Sequence, residues 1–82
     1  MAELDEAERL AREAVDFGNT TNMLFAQGEA YEDLGYVLYA AGKRAEGEQA
    51  IEQALDLYEA KGAVAPADRA RRRLVELRAA PQ

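Results

Sequence analysis

The sequence predicts an all-α fold of about four helices, over residues 3–17, 21–41, 45–61 and 66–79. Apolar residues recur every three or four positions along four stretches of the chain. No stretch alternates with period two or gathers β-branched residues, so nothing argues for a strand. Gly18, Gly42, Gly62 and Pro66 punctuate the four stretches where helices would stop or start.

In the first stretch Leu4, Ala7, Leu10, Ala11, Ala14 and Val15 fall on one stripe, and Glu6, Glu8, Arg9, Arg12 and Glu13 fill most of the remaining positions. Gly18 suits a left-handed helix end, and Asn19-Thr20-Thr21-Asn22 offers side chains that cap the next helix. The second stretch turns Leu24, Tyr31, Leu34, Leu38 and Ala41 inward and stops at Gly42. The third packs Ala50, Ile51, Ala54, Leu55 and Tyr58, and ends on Lys61-Gly62, a cation followed by glycine. Pro66 suits the first turn of the fourth, whose apolar face is Ala67, Ala70, Leu74 and Leu77. The residues from Ala79 to Gln82 are expected to fray.

The chain has 82 residues, enough for one small core. Eighteen residues are Ala, so close helix packing is available but a large dry interior is not. There is no Cys, which removes disulfides and zinc-thiolate sites and makes the cytoplasm the expected compartment. The first residues are acidic where a secretory leader carries bases, and no segment reaches the roughly 20 apolar residues of a membrane span. The net charge of −6 works against nucleic acid and anionic lipid as partners. It is unevenly spread: residues 1–60 hold 14 acids and 4 bases, residues 61–82 hold 2 acids and 6 bases.

The first and third stretches align without gaps, residues 6–17 against 46–57, a recurrence at 40 residues. Helical-hairpin arrays, in which each unit buries its face against a neighbour, carry this signature. Tyr31-x2-Leu34-Gly35-x2-Leu38 followed by Gly47-x3-Ile51-x2-Ala54 resembles the tetratricopeptide repeat, with Gly42 where such repeats turn. Departures are Gly47 in place of the usual Ala, Glu59 in place of Pro, and a period longer than 34, the surplus being assigned to the start of the second helix. The resemblance implies antiparallel helical hairpins: a partial repeat at 3–17, a full hairpin at 21–61 and a capping helix at 66–79. The whole is similar to the C-terminal repeat region of large bacterial signalling and regulatory proteins.

With no His, Cys or Ser, nucleophilic catalysis has no ordinary machinery, and the chain reads as a non-enzyme. Glu29/Asp33 and Glu52/Asp56 have helical spacing to share a cation, but di-metal bundles add His, so no metal or other cofactor is expected. Glycine-rich phosphate loops are missing as well. Arg69, Arg71, Arg72, Arg73 and Arg78 are interrupted by Asp68 and Glu76 and lack aromatic company, which favours solvation or pairing with Glu46, Glu52 and Glu59 over nucleic acid.

On a wheel of the second helix, Phe25, Glu29, Glu32, Tyr36, Tyr39 and Lys43 share a stripe roughly opposite Leu34 and Leu38. Aromatics interleaved with acids suit an interface, and in the hairpin's own core they have no obvious partner. By the resemblance this stripe lines the concave groove of a repeat array. Glu32 and Tyr36 stand where the carboxylate-binding members of that family carry Lys and Asn, so the implied ligand is a basic or amphipathic protein segment. The stripe could instead pack against helix one, helix four or a second copy. The resulting expectation is a protein–protein interaction module; the alternative is a self-association element. A two-fold homodimer would form through Met23, Phe25, Tyr36 and Tyr39.

Overall fold

The computed structural model describes residues 2–79, which form four helices: α1 (Ala2–Gly18), α2 (Leu24–Ala40), α3 (Arg44–Lys61) and α4 (Val64–Ala79). Each has 16 to 18 residues, so each is about 25 Å long at 1.5 Å per residue. The all-α reading holds, and no described residue lies in a strand. No described helix is long and apolar enough to cross a membrane. Of the residues expected to fray, Ala79 is the last residue of α4, and residues 80–82 lie outside the described part.

The loops after α2 and α3 are built alike. Gly42 and Gly62 take φ of 81° and 79°, a region that costs a Cβ-bearing residue about 1 kcal/mol. Around them Lys43 N–H donates to Leu38 O at 2.8 Å and Ala63 N–H to Tyr58 O at 2.9 Å, satisfying carbonyls that the helix ends leave open.

The α1–α2 connection differs from the sequence reading. Gly18 has no positive φ; it is the last residue of α1, buried where an added Cβ would lie 3.6 Å from Gln27. The hydroxyls of Thr20 and Thr21 donate back to the carbonyls of Phe17 and Gly18, closing α1 instead of capping α2. α2 accordingly begins at Leu24, with no side-chain cap on Met23, and the residues expected to extend its start form the loop. Gln27 completes this corner, donating to Gly18 O and Thr21 O at 3.1 and 2.7 Å.

Successive helices run antiparallel. α1 packs on α2, α2 on α3, and α3 on α4. α3 is central and the most deeply sheltered: Ile51, Ala54 and Tyr58 meet Ala67, Ala70 and Leu74 of α4. A second cluster joins Val15 of α1, Leu34 and Leu38 of α2, and Ala50 of α3. The inward stripe predicted for α1 is half right. Val15 is buried and Ala11 packs beside it, but Leu10 is 51% exposed and Ala14 is also open.

The α2–α3 seam is close because three glycines lie in it. A Cβ on Gly28 would come within 2.6 Å of the Tyr58 ring, and one on Gly47 within 2.7 Å of the Tyr39 ring. A Cβ on Gly35 would overlap Ile51 and lie 3.1 Å from Gly47 O.

Candidate functional site

The seam determines what happens to the α2 stripe. The Tyr58 ring lies close against Gly28, and its hydroxyl reaches one helical turn along α2 to Glu32. The α4 backbone brings Arg69 to the same carboxylate. Glu32 receives four hydrogen bonds: from Tyr36 at 2.5 Å, Tyr58 at 2.7 Å, and Arg69 Nη2 and Nε at 2.8 and 3.1 Å. A two-pronged guanidinium matches the carboxylate geometry, and the two phenols take what remains of its accepting capacity.

Glu32 is only 5% exposed, so it is not available to a partner, contrary to the sequence expectation. Burial is the largest single influence on its carboxyl and pushes the pKa up, but the hydrogen bonds from Arg69, Tyr36 and Tyr58 outweigh it, and the net shift is downward. Tyr58 moves the other way: burial first, and then donation to Glu32, raise it well above the ordinary phenol value. No buried side-chain nitrogen or oxygen among the described residues is left without a partner.

The remaining stripe residues separate. Tyr36 is half-buried, its ring 5.4 Å from the Arg73 guanidinium carbon. Tyr39 is half-buried over Gly47 and donates to Glu48 at 3.1 Å. Neither had an obvious partner on the wheel; Tyr36 packs on α4, as the alternative reading allowed, and Tyr39 on α3. Lys43 is exposed but pairs with Glu8 of α1 at 2.9 Å. Phe25 keeps 39% of its surface open, with its ring centroid 5.7 Å from that of Tyr58. Glu29 is exposed, and neither it nor the nearby exposed Asp33 has an ion pair among the described residues. Burial, and secondly the charge of Glu32, raise the Asp33 carboxyl above its ordinary value.

Sequence reasoning missed Tyr58, Arg69, Arg73 and Glu48 as partners of the stripe. One signal was present: Glu32/Tyr36 and Arg69/Arg73 have the same four-residue spacing, which places each pair on one helix edge. The other arginines divide as well. Arg71 pairs with Glu59 and Arg78 with Glu52, as the charge pattern proposed, whereas Glu46 is taken by Arg12. Among the described residues no group of three or more acids converges as a metal site.

What stays open is therefore a short edge of α2 (Phe25, Glu29 and Asp33, with Tyr36 behind them) and the outer sides of α1 and α4. Compared with protein-family models, curated proteins and solved structures, the chain matches none.

Proposed function

We propose that the chain is a non-catalytic protein–protein interaction module, built on a tetratricopeptide-like hairpin, that holds a basic or amphipathic helical segment along the open edge of α2. The observation that carries this reading is the company of Phe25: a large, partly exposed ring on the same edge as two exposed carboxylates that have no cation partner among the described residues. An apolar anchor flanked by unpaired acids is complementary to a segment that alternates bulky apolar and basic residues. The antiparallel succession of helices, the 40-residue recurrence and the glycine seam support the repeat-like architecture. A chain without cysteine suits the reducing cytoplasm.

Titrating the isotope-labelled chain with a synthetic basic amphipathic helical peptide tests the reading by amide chemical shifts. Perturbations should gather around residues 25–36 and vanish in the Glu29→Lys/Asp33→Lys variant, whose sites are exposed and leave the core alone. A spectrum unmoved by excess peptide sinks it.

The second reading, self-association, draws on a different observation: Leu10 and Phe17 form an open apolar row on α1, with Phe17 75% exposed. A two-fold dimer through Tyr36 and Tyr39 would need side chains that already pack inside the chain. Of the expected dimer residues only Met23 and Phe25 keep open apolar surface; the remaining bare apolar side chains, Leu10, Phe17, Val64 and Val75, lie on the outer helices.

A further inference from the structure

The 40-residue recurrence of the sequence has a counterpart in the fold. α2 begins at Leu24 and α4 at Val64, 40 residues apart, and the segments that align at the same offset, 6–17 and 46–57, lie within α1 and α3. Residues 40 apart therefore occupy equivalent places, and their surroundings can be compared directly. On α3, Ala50 and Ala54 are buried and Leu57 is half-buried; their α1 equivalents, Leu10, Ala14 and Phe17, are open. On α2, Gly28 and Gly35 are pressed against α3; their α4 equivalents, Asp68 and Val75, face outward, Val75 at 67% exposure. α1 thus lacks a cover of the α2 type, and α4 lacks a support of the α3 type.

Charge selects the partner. α1 carries six acids against two bases, net −4, and α4 carries five bases against two acids, net +3. Glu6 and Glu13, which share Arg9 as their partner, flank Leu10 and Phe17 on α1, while Arg72, which has no ion pair among the described residues, lies beside Val75. A two-fold contact of α1 with α1, or of α4 with α4, would oppose like charges. A contact of α4 with α1 opposes unlike ones.

We propose that copies of this chain join head to tail, the outer face of α4 in one copy (Val64, Arg72, Val75) docking on the outer face of α1 in the next (Leu10, Glu13, Phe17) as α2 sits on α3. Such a contact is heterologous, so it leaves a free end after every addition and builds open rows instead of a closed dimer. It does not depend on the α2 edge and stands or falls separately from peptide binding there.

Light scattering on the full chain, diluted from about 1 mM to about 10 µM at low and high salt, is the first test. The weight-average mass should climb past twice the 9.0 kDa monomer without a plateau, and fall with salt. The decisive arm uses Phe17→Glu, which blocks the α1 face, and Val75→Glu, which blocks the α4 face. Both sites are exposed, and circular dichroism checks that each variant remains helical. Each alone should stay monomeric at all concentrations, and an equal mixture should form a one-to-one dimer that grows no further. A monomeric parent chain at the highest concentration, a parent plateau at the dimer, or a mixture that stays monomeric would each overturn the proposal.

Discussion

Tyr58 on α3 donates a 2.7 Å hydrogen bond to Glu32 on α2 across a seam that Gly28 keeps narrow enough for the two to meet. Both residues are buried. Removing the hydroxyl by Tyr58→Phe should cost about 1–2 kcal/mol, and removing the carboxylate by Glu32→Ala about 2–4 kcal/mol, because Tyr58 then loses its acceptor and Arg69 its partner. The double variant should cost less than the sum, by about 0.5–3 kcal/mol, since the two losses share one interaction. Urea unfolding of the four proteins measures this, and strict additivity would refute the coupling.

Glycine in mid-helix normally invites stabilisation by alanine, worth up to about 1 kcal/mol. Gly28→Ala and Gly35→Ala should do the opposite here, losing about 1–3 kcal/mol because the new methyl group meets the Tyr58 ring in one case and Ile51 in the other. Thermal melts read the sign directly, at about 4–8 °C per kcal/mol for a domain of this size. A raised melting temperature for either variant would mean that the helices can separate at no cost.

Acid should loosen the fold through Glu32. Its carboxyl is held below the ordinary value in the folded chain, so the stability it contributes is complete above the unfolded pKa of about 4.3 and drains away as pH falls through the lower, folded value. The melting temperature should therefore decline below about pH 4, and the decline should be shallower in Glu32→Gln. A parallel decline in parent and variant would assign the acid sensitivity to other carboxylates.

Core and surface positions of similar hydrophobicity should respond very differently. Ile51 is fully enclosed, and Ile51→Ala should cost about 2–5 kcal/mol. Leu10→Ala, on the open side of α1, should change the stability of the dilute chain by no more than about 0.5 kcal/mol. Calorimetry at low concentration separates the two; a large loss at Leu10 would mean that its surface is covered even there.

The helices themselves, with the turns at Gly42 and Gly62, were legible because each signal was local: apolar residues one turn apart, and glycine where φ must be positive. The cores of α3 and α4 were legible for the same reason. The α2 stripe was not. A helical wheel allots one inward direction per helix, whereas α2 is covered from more than one side, by Val15 of α1, by α3 along the glycines, and by Arg69 and Arg73 of α4. An acid on such a helix looks solvated until the base that reaches it, 37 residues later, is placed in space. Gly18 misled for the converse reason: a glycine after an apolar stripe reads as a left-handed stop, but here it stays in the last turn of α1 without a positive φ. The open sides of α1 and α4 emerge only when positions 40 apart are compared for burial, which no sequence pattern contains.

The chain has four tyrosines and no tryptophan, and one of those tyrosines is closed between a carboxylate and a guanidinium. To ionise that phenol is to set a second negative charge against Glu32 where no solvent can absorb it. In strong alkali its conversion to phenolate and the collapse of the helix array should thus be one event, visible as a single late step in ultraviolet absorbance. The molecule carries its own optical gauge of whether its interior is intact, with no dye or label attached.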